Sequence, residues 1–314
     1  MNVLVLVDHD RGVLDELTLQ AMTAARSLGS IDAVVMGDYP ALAPNLAQYG
    51  AETVHVVTHD LLADYGSEAW ADALAQVMLV SGAKAVVAPG TDRGNEVLAH
   101  VGALLNAPMV ANCNEITAGD GDWSMIRTRW GGSLLEEATL AADYKLVTIT
   151  PHAVVAEPSP GAGTVQMLAV ELDESVARTI VADRVKAEGG ITLQTAPVVV
   201  AGGRGVGNPE NFASLDELAE LVGGAVGCSR VVTNNGWRSH AEQVGQTGNR
   251  VAPDLYIACG ISGAIQHWVG MMGSKRVLAI NTDREAPMVT KADYAVIGDV
   301  NEILPAVIAA IKAR

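Results

Sequence analysis

The sequence predicts an α/β protein of two domains, each a mostly parallel sheet flanked by helices. Three observations carry this. Short apolar runs alternate with helix-period patterns along most of the chain, as they do where parallel strands are joined by crossover helices. The apolar residues make up 49% of 314, yet aromatics are only 4% and there is a single Phe. A core of Val, Ala, Leu and Ile is typical of strands buried on both faces. The polar stretch 182–196 (ADRVKAEGGITLQTA) is followed by a fresh apolar run from Pro197, which sets a domain boundary near Thr195. The length allows two separate cores, over residues 1–195 and 196–314.

Taken in order, the apolar runs predict strands over 3–7, 32–36, 53–57, 85–89 and 146–150, then 197–201, 225–228, 255–259, 277–281 and 294–297. Helical periodicity predicts helices over 14–28, 68–81, 93–105, 214–223, 262–272 and 301–312. Residues 111–176 break the alternation: β-like segments with turns at Gly119-Asp120-Gly121 and Gly131-Gly132 predict a mixed or antiparallel region there. Ser214 with Glu217 reads as a capping box for the helix that follows.

The formal charge is −16, and it is uneven. Residues 1–195 hold 25 acidic and 10 basic side chains, a net of −15, whereas residues 196–314 hold 11 and 10, a net of −1. Nothing here would neutralise a phosphate backbone, so nucleic-acid binding is excluded as an expectation. Cys113, Cys228 and Cys259 have neither CxxC nor zinc spacing, which predicts reduced thiols and no metal site. The chain opens on a strand, without a basic leader or a membrane-length apolar run, and the expectation is a cytoplasmic protein not embedded in a membrane.

The chemistry concentrates in 255–270, LYIACGISGAIQHWVG. A strand stops at Gly260 and a helix is predicted from Ser262, its N-cap, so that free N–H groups and a helix dipole converge on one point suited to an anion. Gln266 and His267 follow within about two turns. A single His on an apolar helix is most simply a core residue, and Trp268, Met271 and Met272 are expected to be core as well. Other loops close successive strands, where open α/β sheets bind ligands. The loop 202–207 allows close backbone approach and carries Arg204, whose guanidinium suits phosphate. Ser229 and Arg230 end one strand, the polar loop Val244-Gly245-Gln246-Thr247 precedes another, and Asn281 and Asp299 close two more. Each alone reads as structural; their recurrence favours a bound nucleotide. No catalytic residue is predicted: Glu136-Glu137 and Asp92 have no partner in an acid–base arrangement.

Several of these blocks carry a resemblance. GGRG at 202–205, FASLDELAELVGGAVGCSR at 212–230, VGQTG at 244–248, LYIACGISGAIQH at 255–267, AINTD at 279–283 and YAVIGDV at 294–300 resemble the alpha subunit of electron-transfer flavoproteins. The opening VLVLVDHDRGVLDELTLQAMTAARSLG is similar too, so the resemblance covers nearly the whole chain. It implies a Rossmann-like second domain that holds FAD and a beta subunit as partner carrying AMP or a second FAD. It also implies an electron carrier, not a substrate-transforming enzyme, set between flavin dehydrogenases and an acceptor such as a membrane quinone reductase. The implied flavin contacts are Arg204, Ser229, Arg230, Val244, Gly245, Gln246, Thr247, Ser262, Gly263, Ala264, Ile265, Gln266 and His267, with Asn281, Asp299 and Val300 at the adenosine end. Arg230 would lie against the isoalloxazine, Thr247 near its N5, and His267 on the C2 carbonyl side, where it and Arg230 would favour negative charge on the ring. The segment Asn234–His240 departs from the family, in which Asp-Ala-Gly and a later Pro are more usual. Two alternatives stand beside this reading: a bifurcating relative that uses NADH, and a nucleotide-binding regulatory module.

Overall fold

The computed structural model describes residues 2–119, 121–132, 134–183 and 191–313. The chain divides into two units, Met1–Arg129 with Leu134–Val185, and Trp130–Ser133 with Lys186–Arg314. The division precedes Thr195 because Leu193 and Ala196 are already buried in the second unit's core. Residues 184–190 of the polar stretch and Asp120 of the Gly119–Gly121 turn lie outside the described residues.

In the first unit the elements run β1 (Asn2–Leu6), β2 (His9–Asp10), β3 (Val13–Leu14), α1 (Glu16–Ala25), β4 (Ser30–Met36), α2 (Ala43–Gln48), β5 (Ala51–Thr58), α3 (Ser67–Ser81), β6 (Ala85–Pro89), α4 (Asp92–Leu104), β7 (Met109–Ala118), β8 (Trp123–Arg129), β9 (Leu134–Leu140), β10 (Lys145–Ile149) and β11 (Thr164–Ala169). They build a nine-stranded sheet in the order β11-β5-β4-β1-β6-β10-β7-β8-β9. The pairs from β11 to β7 are parallel, and only β7-β8 and β8-β9 are antiparallel. The irregular region is therefore a hairpin on one edge, while β10 and β11, also inside 111–176, return to the parallel body. Val3, Val5, Leu4 and Leu6 show why the core strands read as continuous apolar runs. Val3 and Val5 pack into one buried cluster and Leu4 and Leu6 into the other, on the sheet's two faces. Each such side chain contributes about 1.5–3 kcal/mol.

In the second unit β12 (Val198–Gly202), α5 (Phe212–Leu221), β13 (Ala225–Cys228), α6 (Arg230–Asn234), β14 (Leu255–Cys259), α7 (Ile265–Trp268), β15 (Val277–Asn281), α8 (Pro287–Lys291), β16 (Tyr294–Ile297) and α9 (Val300–Lys312) follow one another. The sheet is all parallel, in the order β13-β12-β14-β15-β16. Phe212, Leu215, Leu304 and Ile308 of α5 and α9 cover one face, and Val244, Ile261, Met271 and Met288 cover the other. This 2-1-3-4-5 strand order places its switch point between β12 and β14, where ligands of such sheets bind outside the carboxyl ends.

Two local expectations fail. The capping box at Ser214 does not form, because α5 already starts at Phe212 and Asn211 precedes it. Asn211 instead donates its amide to the Val206 carbonyl at 2.7 Å, and Glu217 pairs with Lys312. Met272 is not core; it is 56% exposed, beyond the end of α7.

Candidate functional site at the switch point

Every predicted site residue of the second unit lies at or just beyond the carboxyl end of a parallel strand. Glycine decides how close the two central loops come. Gly203 N–H donates to the Cys259 carbonyl at 2.9 Å, and Gly205 N–H donates to the Gly260 carbonyl at 3.0 Å. A Cβ on Gly203 would sit 2.4 Å from the Gly260 oxygen, and one on Gly205 2.7 Å from the Gly260 Cα. Only backbone fits on backbone there. The β12 loop, a short 3-10 turn over Arg204–Val206, is thereby locked to the β14 loop.

The β14 loop differs from its prediction. Ser262 is not an N-cap. Gly263 takes φ +83, Ala264 is extended, and the helix begins only at Ile265, lasting a single turn to Trp268. Gly263 has no room for a side chain, since a Cβ would lie 2.3 Å from the Met288 nitrogen. The consequence is an extended run of donors in place of a helix start. The N–H groups of Ser262, Gly263, Ala264, Ile265 and Gln266 donate to no partner among the described residues. Successive backbone N–H groups without partners are donors open to an anion. Around them the loop is held by three bonds: Asn281 Nδ2 donates to the Ile261 carbonyl at 3.0 Å, Met288 N–H to the Ser262 carbonyl at 3.1 Å, and Gln246 N–H to the Gln266 carbonyl at 2.7 Å.

The last of these bonds brings the 244–247 loop against α7. Val244 is buried and its N–H is taken by the Cys228 carbonyl at 2.8 Å, which ties the loop to the end of β13, beside Ser229 and Arg230. Gln243, which the sequence did not single out, organises this corner from a fully buried position. It accepts from the Thr233 hydroxyl at 2.8 Å and donates to Thr247 Oγ1 at 2.9 Å. Thr247 therefore keeps its own O–H to donate. Arg204 and Arg230 are exposed and form no ion pair among the described residues, so two cations stand free at this edge. Asp299 caps α9 through the Asn301 N–H at 2.8 Å, and the Val300 side chain is buried, which leaves Val300 only its backbone to offer.

His267 is 7% exposed. Its Nε2 pairs with the Tyr256 hydroxyl at 2.9 Å, and its Nδ1 is buried without a hydrogen-bond partner. Burial pushes its pKa down to about 4, opposed only by the Val244 carbonyl. The ring is neutral at pH 7, and a one-turn helix adds little dipole. It is a core residue on one nitrogen and an orphan on the other.

Residues 3–175 match the family described as the electron transfer flavoprotein domain, and residues 192–272 match its FAD-binding domain. The chain belongs to the electron transfer flavoprotein alpha-subunit family. It is 38% identical to the electron transfer flavoprotein subunit alpha of Mycobacterium tuberculosis over 99% of this chain and 98% of that one. A FixB protein of Clostridium saccharobutylicum is 34% identical, with 99% and 96% covered, and the alpha subunit of Bacillus subtilis is 33% identical, with 96% and 95% covered.

In this flavoprotein subunit the 234–240 segment is pinned to its neighbours through Arg238 and Ser239. Arg238 forks onto Asp216 at 3.0 Å and onto Glu242 at 2.6 Å, and Ser239 with Glu242 forms a capping box. Among the described residues no metal-binding cluster forms, and no helix is long and apolar enough to cross a membrane. Glu136 pairs with Arg127 at 2.5 Å, which explains it without catalysis. Tyr256 escaped the sequence reading altogether. Its only signal was a lone hydroxyl-bearing residue in an aliphatic strand, eleven positions before the His that it meets.

Proposed function

We propose that this chain is the FAD-holding subunit of a heterodimeric electron carrier, with the flavin nucleotide seated at the β12/β14 switch point. The observation that carries the reading is the run of five unpartnered N–H groups from Ser262 to Gln266, at the edge where such a sheet binds ligands. Those N–H groups fit a diphosphate, and Arg204 and Arg230 supply the charge that the loop lacks. Gly245, Gln246 and the free O–H of Thr247 fit the polar edge of a heterocycle, Ser229 offers its hydroxyl, and His267 offers one N–H. Asn281 acts by holding the Ile261 carbonyl, and Asp299 by placing the Val300 N–H at the start of α9. Bound FAD would supply the one-electron chemistry; the chain's own residues bind it, orient it and bias where its charge is stabilised. No general acid, base or nucleophile is required, in keeping with an electron carrier.

The partner chain is a beta subunit holding AMP or a second FAD, and the first unit is the surface on which it docks. Flavin dehydrogenases donate, and a membrane quinone reductase or similar protein accepts. Co-expression with the beta subunit tests the reading. The expected product is yellow, with one FAD per alpha chain and phosphate density along Ser262–Gln266. A colourless complex carrying only ATP or AMP, or flavin phosphates bound outside the second unit, would overturn it.

A further inference from the structure

We infer that Tyr256 is a positioning residue that fixes the tautomer of His267, so that the ring keeps its proton on Nδ1 and offers an N–H, not a lone pair, to whatever acceptor faces it. Tyr256 stands in the middle of β14, wholly buried, between Val199 and Val277 on the neighbouring strands. Its hydroxyl has one partner among the described residues, His267 Nε2 at 2.9 Å. The two rings meet edge-on, 6.1 Å between centroids and 63° between planes. The backbone of His267 is fixed as well, its N–H donating to the Ala264 carbonyl at 2.9 Å and its carbonyl accepting from Gly270 at 3.0 Å.

Two proton arrangements are available to a neutral phenol and a neutral imidazole. If Nε2–H donates to the phenol oxygen, the phenol O–H is buried with no acceptor and Nδ1 is left as a buried lone pair: two orphans. If the phenol donates to Nε2, only Nδ1–H is left over. Buried polar groups without partners are penalised, so the second arrangement holds. Both groups are neutral at pH 7. Burial drives the phenol pKa well up, with Cys228 and Cys259 pushing the same way, and drives the imidazole down to about 4.

The inference rests on the flavin reading for its purpose but not for its proton assignment. A donor at Nδ1 strengthens when its acceptor gains negative charge, and an acceptor at Nδ1 would oppose that charge. Tyr256 would in this way set the sign of His267's influence on a bound flavin from a wholly buried position in β14.

The test is long-range 1H–15N correlation on the FAD-loaded complex with the beta subunit, 15N-labelled at histidine. In the native protein the proton of His267 should sit on Nδ1, with Nε2 shifted as a hydrogen-bond acceptor. Tyr256→Phe should turn the ring into a mixture of tautomers. It should also weaken the preference for one-electron-reduced over oxidised flavin by about tenfold, which is ~59 mV in the first-electron potential. The double variant with His267→Ala should add nothing beyond His267→Ala alone. A native proton on Nε2, an unmixed Nδ1–H ring in Tyr256→Phe, or fully additive potentials would overturn the inference. If tautomers respond as expected while neither variant moves the potential, the tautomer assignment stands and the flavin reading of His267 falls. Should Tyr256→Phe fail to fold, 3-fluorotyrosine labelling replaces it. The stronger phenol donor must then shift Nε2, and an unmoved Nε2 signal overturns the inference.

Discussion

The two sheets are built on related plans and finish their switch points in opposite ways. In the first unit the switch lies between β1 and β6, and side chains fill it. Asp8 is buried and accepts from the Thr91 hydroxyl at 2.6 Å, while Arg93 donates to the His9 carbonyl at 2.9 Å and lies over the Tyr65 ring. His9 packs against Tyr39 and Trp70, and its Nδ1 accepts from Gly12 N–H at 3.3 Å. Thr91 caps α4. In the second unit the corresponding loops carry glycines together with N–H groups and arginines that have no partner among the described residues. A topological switch point is therefore only an opportunity. What the sequence puts in the two loops decides whether it becomes core or site.

Steric closure of the open crevice should give the largest effect. In Gly263→Val a β-branched side chain must adopt φ +83 and displace the Met288 backbone. Each penalty is of the order of 1–3 kcal/mol, so flavin binding should fall by at least about tenfold, since ~1.4 kcal/mol is one decade. Gly90→Ala is the matched change in the first unit, where a Cβ would meet the Ile149 oxygen at 2.5 Å. It should lower the melting temperature and leave flavin content intact. Equal flavin loss in both variants, measured by absorbance of the purified complex, would erase the distinction between plugged and open loops.

A smaller effect separates one buried histidine of each unit, His267 and His9, by chemistry. His267→Ala removes a donor facing a developing negative charge, a bond worth roughly 1.5–3 kcal/mol. The first-electron potential should drop by about 65–130 mV while FAD stays bound. His9→Ala, on the plugged side, should change stability and leave the potential unmoved. Spectroelectrochemical titration reads both.

Protonation gives a third contrast. The folded pKa of His267 is about 4, below its ordinary 6.5. The unfolded chain therefore takes up the proton first. Its neutral burial contributes full stability above pH 6.5 and loses it as pH falls towards 4. At pH 5 the loss should approach ~2 kcal/mol. Urea unfolding of the native complex and of His267→Gln at pH 7 and pH 5 should show a shallower acid slope for the variant. Parallel slopes would mean that the ring is hydrated or paired in the folded state.

Much of this was legible in advance, for identifiable reasons. Ten of the twelve described strands in parallel pairs were marked by aliphatic runs such as Val3 to Val7 and Leu255 to Ala258, because strands buried on both faces carry few polar residues to confuse the pattern; β7 and β11 were missed. The loops of the site were legible as glycines at strand ends. What escaped was geometry that depends on another part of the chain. Ser262 has the chemistry of an N-cap, but Gly263 at positive φ denies it a helix, a constraint set by Met288. Ser214 with Glu217 spells a capping box, yet Lys312 takes the carboxylate. Tyr256 and Gln243 are invisible locally because their partners, His267 and Thr247, are reached across a turn.

The smallest expected effect lies where the open unit borrows the habit of the closed one. Arg238 fills the second unit's 234–240 segment much as Arg93 fills the first unit's crevice, forking onto Asp216 and Glu242 and lying 5.5 Å over the Phe212 ring. The guanidinium is 22% exposed and its two carboxylate partners are more open, so solvent screens the pairs. Half-exposed pairs are worth ~0.2–1 kcal/mol each. Arg238→Ala should therefore lower stability by about 1 kcal/mol, with flavin content and potential unchanged, because none of its partners belongs to the run from Ser262 to His267. Arg230→Ala, a few residues away and free of ion pairs, should do the reverse: little change in unfolding, weaker flavin retention. If Arg238→Ala instead releases flavin, the segment is part of the binding crevice, and the boundary between its structural and ligand-holding arginines has to be redrawn.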